Sequence, residues 1–323
     1  VSAIDDAAMA ASLFAVDPAG TGGACLRSPV HPAREEWLRI LRELLPQDAP
    51  MRRVPFNIPD GRLLGGLDLA ATLKANRPVA ERGVLADADG GIVVLTMAER
   101  LSANTVARIN AVIDAGEVVV AREGVSIRHA CEFGIVALDE GMSDDEHAPI
   151  ALLDHCAFLL DFNGFSSRSP LIPAHTAEEI GAARRLLPAV QLNEPVVQAL
   201  CAAALALGVW SPRVSLLALR GARCAAALAG RTELLDEDAV LAGRLVLAPR
   251  ATIAPQRQPE EPEPREVEPQ EDAAPSDQPA PLDQADTGAP VQIDQEQLED
   301  MVLAAAQSAI PAGVLARLRG SAT

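Results

Sequence analysis

The sequence predicts an α/β protein: a parallel sheet sandwiched between helical layers, then a small helical domain, then an acidic, proline-rich linker. Three observations carry this. Ile92-Val93-Val94-Leu95 and Phe133-Gly134-Ile135-Val136-Ala137 are continuously apolar, as strands covered on both faces are. Between them lies a helical segment, Ser102 to Ala115, with Val106, Ile109, Val112 and Ile113 at helical spacing. From Thr176 onward the chain turns to one helical segment after another.

In order, residues 1–16 read as an apolar helix through Ala7, Leu13 and Phe14. A glycine-rich turn follows, and then a helix, Pro32 to Leu45, with Trp37, Leu38, Ile40, Leu41 and Leu44 on its apolar side. Arg53-Val54-Pro55-Phe56 is a short strand candidate. After the helix at 102–115 comes a hairpin, Glu117 to Val120 turning at Arg122-Glu123-Gly124 into Val125-Ser126-Ile127. Ile150 to Leu153 and Phe158 to Phe162 read as a helix end and a further strand. In the helical region Thr176, Asn193 and Asp236 are candidate N-caps, the last for a helix Glu237 to Leu247, and Val214 to Leu228 is a helix between them. The domains expected are an α/β domain at 1–175, a helical lid at 176–250, a linker at 251–293 and a helical start of a further domain at 294–323. The segment 255–290 carries ten acidic and two basic residues among many prolines, a composition that opposes a packed core and predicts disorder. The last helix, with Leu298, Met301, Val302 and Ala305 on one face, has nothing in the sequence to pack that face on.

The net charge of −18 argues against nucleic acid and anionic membrane surfaces, which both attract basic patches. The five cysteines contain no CxxC pair, so neither a zinc site nor a disulfide framework is indicated, and a reducing cytoplasm fits. The longest apolar run, at 199–209, is well short of the roughly 18 residues of a membrane span. His147 beside acidic residues reads as a solvated loop, and no metal site is expected. Lys74 is the only lysine in the chain.

Strand, helix, hairpin, strand is the middle of a P-loop sheet. A P-loop reads GxxxxGK[ST], and the turn before the helix at Pro32 is the candidate: Gly20, Thr21, Gly22, Gly23 and Ala24. Gly22 fills the second glycine position, with Gly23 where lysine belongs and Ala24 where the hydroxyl belongs; a plain turn is the competing reading.

Gly116 to His129, GEVVVAREGVSIRH, resembles the presensor hairpin of the magnesium chelatase branch of AAA+ ATPases. Its neighbours agree in order. Gly65-Gly66-Leu67-Asp68-Leu69 with Thr72-Leu73-Lys74 resembles the helix-2 insert, Leu152-Leu153-Asp154 the segment bearing the arginine finger, and Arg213 with Arg220-Gly221-Ala222-Arg223 the helical lid. With the acidic linker, the chain is similar to the D-subunit family, whose members continue into an integrin-like metal-binding domain; no DxSxS motif of that domain occurs here. The resemblance implies an AAA+ P-loop-type αβα sandwich and ATP-driven insertion of Mg²⁺ into protoporphyrin IX. It also implies two partners, a hydrolysing I subunit and a porphyrin-binding H subunit.

The departures from the family pattern imply that this chain does not hydrolyse ATP itself and has no catalytic residue. Thr96 and Met97 stand where the Walker B Asp and Glu would be, with Glu99 two residues late and expected to face elsewhere. Leu138-Asp139-Glu140-Gly141 replaces the sensor 1 asparagine. His155 stands at the arginine-finger position, and Arg220 alone is retained, as sensor 2. The hairpin residues Arg122, Glu123, Gly124 and Arg128 are the candidate interface. ATP and Mg²⁺ are expected to be used by the complex, with none bound here. Rival readings are an active ATPase of the MoxR type, which would need intact Walker motifs, and an adaptor holding a basic partner on its acidic linker.

Overall fold

The computed structural model describes residues 2–122, 125–143, 145–163, 165, 170–253 and 295–320. Its centre is a five-stranded parallel sheet made of β1 (Gly23–Arg27), β2 (Met51–Pro55), β5 (Ile92–Thr96), β8 (Gly134–Asp139) and β9 (Phe158–Asp161), in the order β2-β5-β8-β1-β9. The inner register aligns Ala24 with Val136 and Val94 with Val136. Side chains alternate across a strand. Ala24, Leu26, Val94, Val136, Leu138 and Phe158 therefore face one layer, while Cys25, Val93, Leu95, Ile135 and Ala137 face the other. Both faces are covered, which is why the two apolar runs do not alternate.

The first layer holds α1 (Ala3–Val16) and α2 (Pro32–Leu44). Ser2 and Asp5 form a capping box at the start of α1. Trp37 of α2 donates its indole N–H to the carbonyl of Ala7 at 2.8 Å and stacks on Phe14 with centroids 6.4 Å apart. The second layer is α5 (Ala103–Ala115), capped by Ser102. Beside it lie the insert and the hairpin. The insert runs α3 (Asp60–Leu64), β3 (Gly65–Leu67), α4 (Leu69–Ala75) and β4 (Ala80–Arg82), with Gly65 paired to Arg82. The hairpin is β6 (Glu117–Arg122) with β7 (Val125–Ala130), and the short helix α6 (Ile150–Leu153) precedes β9.

The helical part comprises α7 (Ala177–Leu186), α8 (Glu194–Ala206), α9 (Pro212–Leu228) and α10 (Asp236–Ala242). Thr176 and Glu179 cap α7 reciprocally, and Asn193 caps α8. The cap of α10 differs from expectation. Asp236 is already inside the helix, and Asp238 reaches back to accept the Leu235 N–H at 2.9 Å. The expected single helix to Leu247 changes at Ala242 into a π-helical turn, Gly243–Leu247.

The reason lies in α11 (Gln295–Ser308), which packs against α8, α10 and this turn. A side chain at Gly243 would stand 2.9 Å from Val302. Leu298, Val302 and Ala306 are buried there as part of the main core. The last helical face thus has a partner, contrary to expectation: it completes the lid. A short helix, α12 (Ala312–Gly320), follows. The expected linker at 255–290 lies outside the described residues. Among the described residues no single helix is long and apolar enough to cross a membrane.

Cys25, Cys131, Cys156 and Cys224 are buried and Cys201 is exposed, all as free thiols. Burial pushes the Cys131 thiol up to about 11 and that of Cys156 to about 12, away from the reactive thiolate. One thiol, Cys201, is therefore expected to react rapidly with a disulfide reagent at pH 8, and all five after unfolding. A second fast thiol in the native protein would contradict the packing described here.

Candidate functional site

In an open parallel sheet the ligand edge is the one at the carboxyl ends of the strands. A P-loop runs from such an end into the following helix. The segment that does so here is Ser28 to His31, between β1 and α2. The spacing GxxxxGK[ST] then falls on Ser28, Ala33, Arg34 and Glu35. This corrects the expectation for Gly20 to Ala24. Gly23 and Ala24 are the first residues of β1, and Gly20, Thr21 and Gly22 precede it at the opposite edge. That turn is structural. Gly20 N–H donates to the Asp17 carboxylate at 2.8 Å and the Thr21 hydroxyl to the Asp17 carbonyl at 2.6 Å. Gly22 has φ +73°, and a Cβ on it would lie 2.0 Å from the carbonyl oxygen of His155.

Arg34, in the lysine position, is 3% exposed. Its Nη1 donates to Glu140 Oε1 at 2.9 Å and to the Ser28 carbonyl at 3.2 Å, and Nη2 stands 3.4 Å from Glu35. Its Nε is enclosed and, among the described residues, without a partner. Glu140 follows the end of β8, and its own N–H donates to Glu99 Oε2 at 2.9 Å. Glu99 thus faces this edge after all, with its side chain 2% exposed. The cause is Met97, whose left-handed backbone (φ 52°) turns the chain back toward β8. Asp139, the buried last residue of β8, accepts the N–H of Gly141 at 3.0 Å and of Ala148 at 2.9 Å, which sets the loop after it. The Thr96 hydroxyl is spent on the carbonyl of Val54 at 3.4 Å.

Hydrolysis of a nucleoside triphosphate needs backbone N–H groups and a lysine on the phosphates, a Ser/Thr on Mg²⁺, and a carboxylate that holds metal. Pro29 and Pro32 have no N–H, Glu35 replaces the hydroxyl, and Thr96 and Met97 supply no carboxylate. Glu35, Glu99 and Glu140 instead place negative charge where a polyanion would sit. MgATP does not fit this residue set. A cleft of 440 Å³ beside it is lined by Arg27, Pro29, Met142, Ser143, Asp161 and Asn163.

Arg220 does not reach this edge. It donates to the carbonyl of Gly20 at 2.6 Å, a strand length of about 17 Å from the loop after β1. It therefore cannot serve as a sensor for a ligand on Arg34, because the lid packs at the amino ends of the strands. His155 is at that same edge, 7% exposed. Its Nε2 pairs with Asp114 at 3.1 Å and its Nδ1 lies 2.9 Å from the Ala151 carbonyl. Arg213 of α9 binds both oxygens of Asp114, at 2.7 and 3.3 Å. Burial raises the Asp114 carboxyl, but the Arg213 hydrogen bond, with the charges of His155 and Arg213, outweighs it and holds the group below 3.8. The clasp from lid to body therefore persists above that value and is lost as pH falls through the lowered one.

In the hairpin, Arg128 pairs with Glu117 at 3.1 Å, and Arg122 lies opposite Val125 at its end. Glu123 and Gly124 lie outside the described residues. His147 turns Nδ1 to the Ala148 carbonyl at 2.8 Å, and among the described residues no cluster of three or more His, Cys, Asp or Glu could hold a metal. Sequence reasoning missed Arg34 as the lysine substitute. The signal was available: a P-loop follows its strand, and Pro32 at the helix start counts the spacing back to Ser28.

Comparison with known proteins agrees with this architecture. An AAA lid domain family matches residues 197–273. The magnesium-chelatase 60 kDa subunit of Cereibacter sphaeroides is 37% identical over 96% of this chain and 50% of its own length. The magnesium-chelatase 67 kDa subunit of Chlorobaculum parvum is 34% identical over 80% of this chain and 44% of its own length. The chain thus spans about half the length of these larger relatives. The 38 kDa magnesium-chelatase subunit of Acidiphilium rubrum is 28% identical, over 70% of each chain. A crystal structure described as a candidate ATPase of Cytophaga hutchinsonii shares the fold, with TM-score 0.55 and 12% identity over 76% of this chain and 84% of that one.

Proposed function

This chain belongs to the magnesium-chelatase 60 and 67 kDa subunit family, and on that premise we propose that it is a non-hydrolysing AAA+ subunit of that enzyme. The reaction is ATP-driven insertion of Mg²⁺, the metal substrate, into protoporphyrin IX on the route to chlorophyll and bacteriochlorophyll. ATP would be hydrolysed by the smaller I subunit, of the 38 kDa type. The present chain would be a platform coupling that subunit to the porphyrin-binding H subunit, in the cytoplasm, where its free thiols would stay reduced.

The observation that carries this reading is the nucleotide edge itself. Arg34, Glu35, Thr96 and Met97 occupy the four positions at which a hydrolysing relative needs lysine, hydroxyl and two carboxylates. An active ATPase of the MoxR type would need those groups. The remaining elements are those of assembly: the hairpin β6–β7, the insert around α4 and the lid. Leu73 of the insert is 83% exposed and Val119 of the hairpin 49% exposed, apolar side chains that a ring neighbour would cover on this reading.

The test is reconstitution. Alone, the chain is expected to show no ATP turnover above background. Mixed with an I subunit, it should leave turnover dependent on the I subunit's P-loop lysine and insensitive to Arg34→Met in this chain. Turnover by the isolated chain that Arg34→Met abolishes would refute the proposal.

A further inference from the structure

We propose that Arg34 and Glu140 are a built-in substitute for bound nucleotide, an internal cation–anion pair that holds the pocket in one state. In a working P-loop the lysine charge is met by phosphate, which comes and goes. Here the charge in the same position is met by a carboxylate of the same chain at 2.9 Å. Arg34 is enclosed, so this is not a screened surface pair; Glu140 covers it from the solvent side, with its side chain 28% exposed.

The pair also ties together the segments that would have to sense a nucleotide. Arg34 lies in the first turn of α2 and holds the Ser28 carbonyl just after β1. Glu140 starts the loop after β8, and its N–H is held by Glu99 from the turn after β5. Three strand ends on the ligand edge are thereby joined without a ligand. A subunit built this way stays in one conformation while its neighbours cycle, which suits a fixed platform.

The arrangement makes the site latent, not lost. The enclosed Nε of Arg34, unpartnered among the described residues, and the amino end of α2 both favour an anion. Glu140 already supplies it. Removing that carboxylate leaves a buried cation with only the longer contact to Glu35, at 3.4 Å, and an under-compensated buried charge favours an anion from solution. The inference rests on the non-hydrolysing reading of the pocket and not on the partners assigned above. Its test uses the chain alone, so its failure leaves the assembly reading standing.

Inorganic tripolyphosphate, without metal, is titrated calorimetrically into the wild type, Glu140→Gln, Glu140→Ala, Arg34→Met and the double variant Arg34→Met/Glu140→Gln. The wild type is expected to show no saturable binding at millimolar ligand. Glu140→Gln, which keeps the hydrogen-bond acceptor and removes only the charge, should bind at least about tenfold more tightly. Its melting temperature should rise with tripolyphosphate, and the double variant should lose both effects. Should Glu140→Ala fail to fold, the Gln isostere carries the comparison. Wild-type binding of tripolyphosphate or MgATP that Arg34→Met abolishes would overturn the proposal, since Arg34 would then be gripping nucleotide. Folded Glu140 variants with no response to anion would overturn it too, by making the pair an ordinary structural bridge.

Discussion

Replacing Arg250 by methionine is expected to lower the unfolding free energy by about 3 kcal/mol, since each stranded acceptor costs about 1–3 kcal/mol and the Leu153 carbonyl keeps the Cys156 N–H. Arg250 ends the lid core and reaches back into the α/β body. It donates to the carbonyls of Ala157 at 2.9 Å, Val246 at 2.7 Å and Leu153 at 3.2 Å, and to that of Cys156. The residue as a whole is half-buried, and its guanidinium is surrounded by these four carbonyls. Desolvation there pulls its pKa down to about 10 against the counter-effect of Cys156 and Asp154. The charge is therefore held at a cost, and removing it relieves some of that cost. The carbonyls decide the sign, because they belong to the backbone and cannot be removed with the arginine. At pH 7 the group is protonated in both states, so the loss should not vary with pH there. Denaturant unfolding of the wild type and Arg250→Met measures it, and an equal or higher midpoint at unchanged slope would show that the buried charge outweighs its hydrogen bonds.

Much of this fold was legible because its signals are local. The continuous apolar runs at Ile92 and Ile135 read as strands covered on both faces, and Thr176 and Asn193 cap the helices they precede. The hairpin was read from its residues, and the insert from the family resemblance. What was not legible depended on segments far apart in sequence. Nothing near Val302 announces Gly243, whose missing side chain admits α11. The π-helical turn follows from that contact, not from the composition of residues 243–247.

The site failed to read correctly for a related reason. A glycine-rich turn before a helix looked like a P-loop, but the strand between them, Gly23 to Arg27, begins inside the glycine run. Short strands with alanine and glycine carry weak β signals, so the boundary was hidden. The consequence was to move the candidate loop to the wrong edge of the sheet, where Arg220 then meets Gly20. Glu99 was misjudged because a left-handed methionine is rare, and periodicity assumes the chain continues straight through it.

Gly22→Ala separates the two readings of that turn and is expected to destabilise the protein by about 3 kcal/mol. A left-handed backbone costs an L-residue about 1–2 kcal/mol. The rest comes from the new Cβ, 2.0 Å from the His155 carbonyl oxygen, a main-chain atom that cannot rotate away. Gly230 has the same φ of +73°, and among the described residues nothing lies within 4 Å of its added Cβ, so Gly230→Ala measures the backbone part alone. Equal losses at the two positions would mean that the turn at His155 gives way freely. It should not, because Ala157 N–H donates to the Thr21 carbonyl at 3.0 Å and Ile135 N–H to that of Gly22 at 2.9 Å, and Arg250 holds the carbonyls of Cys156 and Ala157 from the other side. The two substitutions therefore share one turn, and neighbours that share a partner are not additive. Once Arg250 is methionine, residues 154–157 can shift to admit the alanine side chain. The double variant Gly22→Ala/Arg250→Met should then lose less than the sum of the single losses, by about 1 kcal/mol. A strictly additive double variant would show that Arg250 does not brace this turn, and a Gly22 variant of unchanged stability that altered nucleotide affinity would return the glycine run to the ligand edge.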